Sequence, residues 1–506
     1  MIVTIILISI CVVAYYYVLN YQQSSNKIKS VLPGPKTLPF IGTAYCLLQR
    51  NSDELLDTLI MLIEEYSSPL QFWMGNKLFI GINKPDQIKK ILQNKHCLDK
   101  SIAYEDLLKP LFGKGLVTAS ASIWTKNRKM IALSFNTNTL RRSFDIFVEQ
   151  SLILTKELEN VGLNGNEIIF VEHVTKCTLS IACGESIMTD IKMEFLSNES
   201  HQYYKAMTSF RKTFQLRGRN IFLYPNFIFN LTATGREQRK SVNFLHSFTD
   251  KIIQQQTSAL NELKPNELNT KSKTRHKSLL HTLMKASHTN KLSQEMLHDN
   301  MITMLIAGTD TTAITVNFVI FMLANFPDVQ IKVYTELLEI FGTKTPQSAP
   351  IKYENLEHMD YLDRVIKETL RIFPTIPLFS RQLTEDLEME EFILPKGANV
   401  VIELLTLHRN EKFWSKPLVF DPDRFLPQNI GTSYQHYYMP FSMGPRNCIG
   451  MQYAIMSMKV ILATLIRTFV FKVENSIQID KIKLTVDLVL STVEPLKIQI
   501  EKRDMH

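Results

Sequence analysis

"PFSMGPRNCIG", residues 440–450, decides how this chain is read. A single cysteine, Cys448, stands two residues after Arg446 and two before Gly450, with Phe441 and Gly444 a short way upstream. A free cysteine taken alone is most often a small buried hydrophobe. Its neighbours here argue for chemistry. Gly444 and Gly450 remove side chains on both sides of the sulfur, as a flat ligand pressed close to the backbone requires. Arg446 adds a fixed positive charge. "IGMQYAIMSMKVILATLIRTF" comes next with a strong helical pattern, which puts the sulfur at a helix amino end, where the dipole and free N–H groups favour thiolate over thiol. A lone thiolate with no second metal ligand nearby in sequence suits a haem iron, because the porphyrin provides four further bonds.

The rest of the chain narrows the class. It has 506 residues, 45% of them hydrophobic and 21% charged, enough to bury a large core. The net charge of +8 suits an acidic partner or an anionic membrane surface. There is no internal repeat and no basic stripe interleaved with aromatics, so nucleic acid is not an expected partner. Six cysteines (Cys11, Cys46, Cys97, Cys177, Cys183 and Cys448) are scattered without a CxxC pair, which is neither a disulfide framework nor a zinc site. A reducing compartment fits that usage. No Gly-rich phosphate loop follows a strand, so the chain lacks a dinucleotide-fold signature of its own.

"MIVTIILISICVVAYYYVL" opens the chain with nineteen residues and no charge. At ~1.5 Å per residue it spans about 28 Å, close to the ~30 Å hydrocarbon core. It lacks an early Lys or Arg and a small-residue cleavage site, so residues 1–20 are expected to be a retained membrane anchor rather than a signal peptide. Lys27 and Lys29 favour a cytosolic position for the chain beyond them. "LPGPKTLPFIG" (32–42) closes a linker and Pro-rich hinge over 21–42, leaving 43–506 as the catalytic domain. That domain reads as mainly α with a small β region. Strand-like runs occur at Leu78–Ile82 and Asn399–Leu404, with "PKGAN" (395–399) turning into the second. Residues 264–291, including "KSKTRHK", are expected to form an exposed loop. Ser293 then caps a long helix to Phe326, apolar almost all round and therefore buried. Pro327 opens the next helix and Gly342 ends it, and a further helix runs from about Tyr353 to Phe373.

Within the long helix, "AGTDTT" (307–312) sets Gly308 mid-helix, at a cost of ~1 kcal/mol against Ala. Thr311 can bond back to a carbonyl, and Asp310 is an acid in an apolar stretch whose burial is costly without a role. Glu368 and Arg371 share one helix face, as do Trp124 and Arg128. The aromatic stretch "FQLRGRNIFLYPNFIFN" (214–230) reads either as roof packing or as a segment dipping into a membrane to admit lipophilic substrate.

"FSMGPRNCIG" matches, at every defined position, the haem-binding decapeptide of the cytochromes P450. The resemblance covers nearly the whole chain in order. "WTKNR" resembles the Trp-x-x-x-Arg of the family's third helix, "AGTDTT" its oxygen-activating motif, "ETLR" its Glu-x-x-Arg and "FDPDRF" its Pro-x-Arg-Phe segment. "ETLRIFPTIPLFSRQLTED", "LHRNEKFW" and "MPFSMGPRNCIG" are most similar to the family-4 branch, typified by fatty-acid terminal hydroxylases. The resemblance implies one N-terminal transmembrane helix on the P450 fold, and haem with Cys448 as its axial thiolate. It implies Asp310 and Thr311 as a proton relay to dioxygen, and Arg381 and Arg446 beside Trp124 and Arg128 at the haem propionates. Phe441 packs near the sulfur, and Glu368, Arg371 and Arg424 form a buried network that holds the cysteine loop. Implied partners are O2, NADPH–cytochrome reductase and a small lipophilic substrate, on the cytosolic face of the endoplasmic reticulum membrane. Ala307 replaces the Glu that can esterify haem in many branch members, so no covalent link is expected. Thr309 stands for the usual His, and Leu133 and Asn136 for a Pro and a His. The expected reaction is monooxygenation. The substrate stays open among fatty acids, hydrocarbons, terpenoid hormones and xenobiotics. A haem-thiolate isomerase acting on a lipid peroxide without a reductase is the alternative, and a haem sensor without turnover a third. The Asp310–Thr311 pair argues for the first.

Overall fold

A computed structural model describes residues 32–48, 55–184, 194–261, 278–389 and 391–503. The expected anchor at 1–20, the first half of the linker and hinge (21–31) and "KSKTRHK" lie outside the described residues. The ten helices that matter for the site are α1 (Ala121–Ala132), α2 (Phe144–Gly162), α3 (Phe170–Cys183), α4 (Glu194–Arg219), α5 (Asn226–Leu231), α6 (Ala233–Asn261), α7 (Gln294–Asn325), α8 (Pro327–Phe341), α9 (Asp360–Ile372) and α10 (Met451–Thr468). Helix dominates, and the strands form small sheets at the periphery. The largest has four strands, β1 (Leu70–Met74), β2 (Lys77–Ile82), β3 (Leu378–Gln382) and β4 (Asn399–Glu403), in the order β1-β2-β4-β3. Only the β2–β4 pair is parallel. A short hairpin near the carboxyl end pairs β5 (Leu484–Val486) with β6 (Leu490–Thr492).

The long helix α7 runs through the middle of the fold. The Ser293 hydroxyl accepts from the Met296 N–H and caps it, and Phe326 ends it ahead of Pro327. From Asp299 to Asn325 every residue is buried except Ala307, Gly308 and Thr311. Among the described residues α7 alone is long and apolar enough to cross a membrane, but it is packed inside the protein against α3, α10 and α6. An all-round apolar helix is what a central position demands.

Three boundaries differ from the expectation for physical reasons. Leu279–His288 is helical, within the stretch expected to be loop, because Ser278 caps it and it buries Leu279, Leu280 and Leu283. The helix expected from Tyr353 to Phe373 is broken at Met359 into a 3-10 turn (Tyr353–His358) and α9, with Glu336 accepting the first free N–H groups, those of Tyr361 and Leu362. The Pro-rich segment lies along β1, where Gln71 donates to the carbonyls of Pro33 and Leu32. A Cβ at Gly34 would meet the Gln71 carbonyl at 2.2 Å, so this glycine lets two backbones touch.

Candidate functional site

The cysteine loop is built by backbone geometry. The Cys448 N–H donates to the Phe441 carbonyl at 2.9 Å, closing a turn over the intervening residues. Gly444 has φ +73, and a Cβ there would meet the Leu92 carbonyl at 2.1 Å. Its role is therefore to let the loop turn against its neighbour. Gly450 is different. A Cβ there would have only ordinary 4.0 Å contacts, to the Cys448 sulfur and Phe135. That glycine leaves space beside the sulfur, as close approach by a ligand requires. Arg128 of α1 donates to the Asn447 carbonyl and to its Oδ1, both at 2.8 Å, and so clasps the residue before the cysteine.

Cys448 is deeply enclosed by protein, yet its side chain is exposed. The sulfur therefore lies deep in the fold with open space beside it, on the side that Gly450 leaves free. Burial pushes its thiol up, while the Gly450 N–H and the Arg128 guanidinium pull it down. The helix end alone does not make the thiolate. A bound metal deprotonates a coordinating thiol outright.

Cations gather beside this space. Arg446 donates to the carbonyls of Leu98 (2.9 Å), Leu116 (3.3 Å) and Ala119 (2.6 Å), and its guanidinium stacks 4.5 Å over the Trp124 ring. It is thus more committed to backbone than expected, and Trp124 is its platform. Arg381 of β3 is fully buried, bonded to the Ser380 carbonyl and packed over Phe379. The Lys100 ammonium sits 4.5 Å from the Tyr104 ring centre. Burial first, then the charges of Arg381 and Arg446, drive the Lys100 pKa well below the usual lysine range. Among the described residues none of Lys100, Arg128, Arg381 or Arg446 forms an ion pair. Four cations near one another with no paired carboxylate call for an anionic ligand. A planar cofactor carrying two carboxylates, with a metal that accepts one thiolate, fits this arrangement.

On α7, Thr311 donates back to the Ala307 carbonyl at 2.7 Å. Ala307, Gly308 and Thr311 face one way, half open, and Asp310 faces the other. The Tyr203 hydroxyl of α4 donates to Asp310 Oδ1 at 3.3 Å, and Arg211 Nη1 lies 3.6 Å from Oδ2. Arg211 also faces Asp487, on the β5–β6 turn, at 3.8 Å. Burial raises the Asp310 pKa to about 6, against the opposing pull of Arg211 and Tyr203. The structure therefore keeps the pair adjacent in sequence but sends the two side chains to different neighbours.

A cytochrome P450 family model matches residues 32–500. The chain belongs to the cytochrome P450 family. It is 31% identical to cytochrome P450 4c21 of Blattella germanica over 99% of each chain. It is 32% identical to cytochrome P450 4V2 of Mus musculus over 98% of this chain and 94% of that one, and 30% identical to cytochrome P450 4V2 of Homo sapiens over 96% and 92%. Membership makes this protein a haem-dependent monooxygenase with a cysteine thiolate as axial ligand.

In this P450 the Glu-x-x-Arg pair is fully buried. Arg371 grips Glu368 through two bonds, Nε to Oε2 at 2.6 Å and Nη2 to Oε1 at 2.9 Å, and also donates to the carbonyls of His408 (2.9 Å) and Pro417 (2.7 Å). Arg424 Nε reaches Glu368 Oε1 at 3.2 Å, and the Asp421 N–H donates to the same oxygen at 3.0 Å. The network expected from the motifs is present.

Sequence reasoning missed Lys100, Tyr104, Tyr203, Arg211 and Asp487. In "LDKSIAYEDL" the lysine and tyrosine look like surface residues. Tyr203 and Arg211 reach Asp310 and Asp487 across about a hundred residues or more, and no local pattern signals that contact. The stretch "FQLRGRNIFLYPNFIFN" carries both exposed and buried apolar side chains. Phe222 and Phe227, and Leu231 just beyond the stretch, are 62%, 72% and 78% exposed, while Phe229 turns inward under the Arg217 guanidinium and Phe214 packs against the core.

Proposed function

We propose that Cys448 is the haem ligand, that Arg128, Arg381, Arg446 and Lys100 serve the propionates, and that the half-open face of Ala307, Gly308 and Thr311 bounds the other side of the haem slot. The observation that carries this reading is Cys448 set deep in the protein with its side chain open, beside four cations that form no ion pair among the described residues. Trp124 supports Arg446 from below, and Phe441 holds the cysteine through its carbonyl. When bound, haem supplies reductive activation of dioxygen, with one oxygen atom entering the substrate and the other leaving as water. Ala307 offers no carboxylate, so haem is held without an ester link.

The substrate is a small lipophile, and electrons come from NADPH through its cytochrome reductase. The exposed residues of Arg128's helix include Thr125, Lys126 and Lys129, and an acidic partner suits that face. The apolar tip of Phe222, Phe227, Ile228 and Leu231 rests on the endoplasmic reticulum membrane to which residues 1–20 anchor the chain, with the catalytic domain in the cytosol. A patch of that kind on the surface is typical of such contact. The test is turnover of saturated fatty acids and terpenoids by the purified protein with NADPH and reductase. Substrate-dependent product containing one atom of labelled O2 supports the reading. Protein that retains no haem, or that consumes a lipid peroxide with no reductase and no O2, overturns it.

Asp310 and Thr311 move the protons. Thr311 presents its hydroxyl on the open face, and burial raises the Asp310 pKa to about 6, close enough to neutrality for the carboxyl to take up and give back a proton. Asp310→Asn should lower turnover by roughly 10²–10⁴-fold, the usual range for one acid–base group. Stability should respond oppositely. Asp310 binds its proton more tightly in the folded protein (about 6) than at its ordinary value of 3.8, so its contribution is fully present below about pH 3.8 and is lost as pH rises towards 6. The Asn variant should therefore unfold with a flatter pH dependence between those values, read from denaturation midpoints. An unchanged slope would remove the burial argument.

A further inference from the structure

A second buried carboxylate lies near the start of α7, far from Asp310 along the helix. Asp299 Oδ2 accepts the Lys114 N–H at 2.8 Å. "FGKGLVTAS", residues 112–120, is laid directly on α7 at this point. A Cβ at Gly113 would come within 2.2 Å of both Asp299 carboxylate oxygens, and one at Gly115 within 2.1 Å of Thr303 Oγ1 and 2.3 Å of the Asp299 carbonyl. Gly113 also has φ +50. These two glycines exist because no side chain fits between loop and helix.

The loop is braced from inside. Thr118 Oγ1 donates to the Gly113 carbonyl at 2.8 Å, and the N–H groups of Thr118 and Ala119 donate to the Gly115 carbonyl at 3.0 and 2.9 Å. Its upstream side is held from α6, where His246 Nε2 is 2.9 Å from the Leu111 carbonyl and the His246 ring packs edge-on against His298. His298 Nδ1 in turn faces Asp299 Oδ1 at 3.8 Å. What the loop presents at its other end matters most. The carbonyls of Leu116 and Ala119 accept two of the three bonds of Arg446, and Ser120 leads straight into α1, which carries Trp124 and Arg128.

We propose that Asp299 is a positioning residue for the haem site: it pins residues 113–119 to α7 and so sets Arg446 and α1 at the cofactor's carboxylates. This rests on the assignment of Arg446 and Arg128 to the propionates. Asp299 touches neither cofactor nor substrate, and acts through the Lys114 N–H, which its loss would leave without an acceptor.

The test is the rate of haem release from the full-length holoprotein to an excess of apomyoglobin. Asp299→Ala should release haem about tenfold faster, as expected from one part-buried donor left unpaired. Asp299→Asn keeps an acceptor oxygen and should stay within about twofold of the native rate, whereas Asp299→Leu, which fills the space without an acceptor, should release haem as fast as the alanine variant. Thr118→Val removes the loop's own brace without touching α7, and should speed release by about threefold, which keeps the idea testable should the alanine variant fail to fold. The double variant Asp299→Ala with Arg446→Leu should release haem more slowly than the product of the two single effects, because part of the Asp299 effect runs through Arg446. Release unchanged in Asp299→Ala and Thr118→Val while Arg446→Leu is fast would overturn the inference and spare the cofactor site. Multiplying effects in the double variant would overturn it too. Release unchanged in Arg446→Leu would sink both.

Discussion

Cys448→Ser is expected to erase the red-shifted Soret band of the reduced carbon monoxide complex and to reduce monooxygenase turnover to background. Serine preserves the size and the backbone bond to Phe441, so the loop should still close. What it removes is the thiolate, the group that pushes electron density onto iron and favours O–O cleavage. The other buried cysteines make the control. Burial raises the Cys97 thiol to about 11 and pushes Cys177 and Cys183 up as well, which is the environment of an inert structural thiol. Cys177→Ala should therefore keep the band at native intensity. A Cys448→Ser protein that still shows the red-shifted band would assign the ligand to another residue. A Cys177→Ala protein that loses it would point to general unfolding.

Legibility in the sequence depended on how local each signal is. The cysteine loop is written in eleven consecutive residues, because its turn, its glycine at positive φ and its bond from Cys448 to Phe441 all close within that span. Helix α7 was legible for a similar reason, since Ser293 and Pro327 mark its ends and its composition declares its burial. The Glu368–Arg371 spacing fixed one edge of a network whose other edge, Arg424, came from resemblance. Long-range closure was not legible. Lys100 and Tyr104 lie beside Arg381 and Arg446, which are about 280 and 345 residues away in the chain, and only the fold brings them together. The same holds for Asp310, which reads as the partner of Thr311 but is gripped from α4. Arg446 shows the opposite limit. Its position was foreseen, but three backbone acceptors and an aromatic platform lie in segments whose approach no spacing encodes.

Glu368→Gln should be among the most damaging single changes outside the cysteine loop. Glu368 and Arg371 are both fully removed from water, and the glutamate is the carboxylate that answers the Arg371 and Arg424 charges. Removing one member of such a pair strands a buried charge and costs about 3–5 kcal/mol. That approaches the ~5–15 kcal/mol by which whole domains are stable. Glutamine keeps the shape and one acceptor oxygen, so the loss isolates charge from packing. The damage should extend to the cofactor site, because Glu368 also holds the Asp421 N–H and Arg371 holds the carbonyls of His408 and Pro417, tying down the segment that leads into the cysteine loop. Thermal denaturation and haem content, measured on the same preparation, should fall together. Replacing both residues, Glu368→Leu with Arg371→Met, removes the stranded charge and should recover part of the melting temperature lost in Glu368→Leu alone. Recovery should stop short of native, since the His408 and Pro417 carbonyls then lose their donor and a buried acceptor left open carries its own cost of about 1–3 kcal/mol. A Glu368→Gln protein that melts within a degree or two of native with full haem would show that Arg371 finds its charge balance elsewhere, and that the network is packing rather than electrostatics.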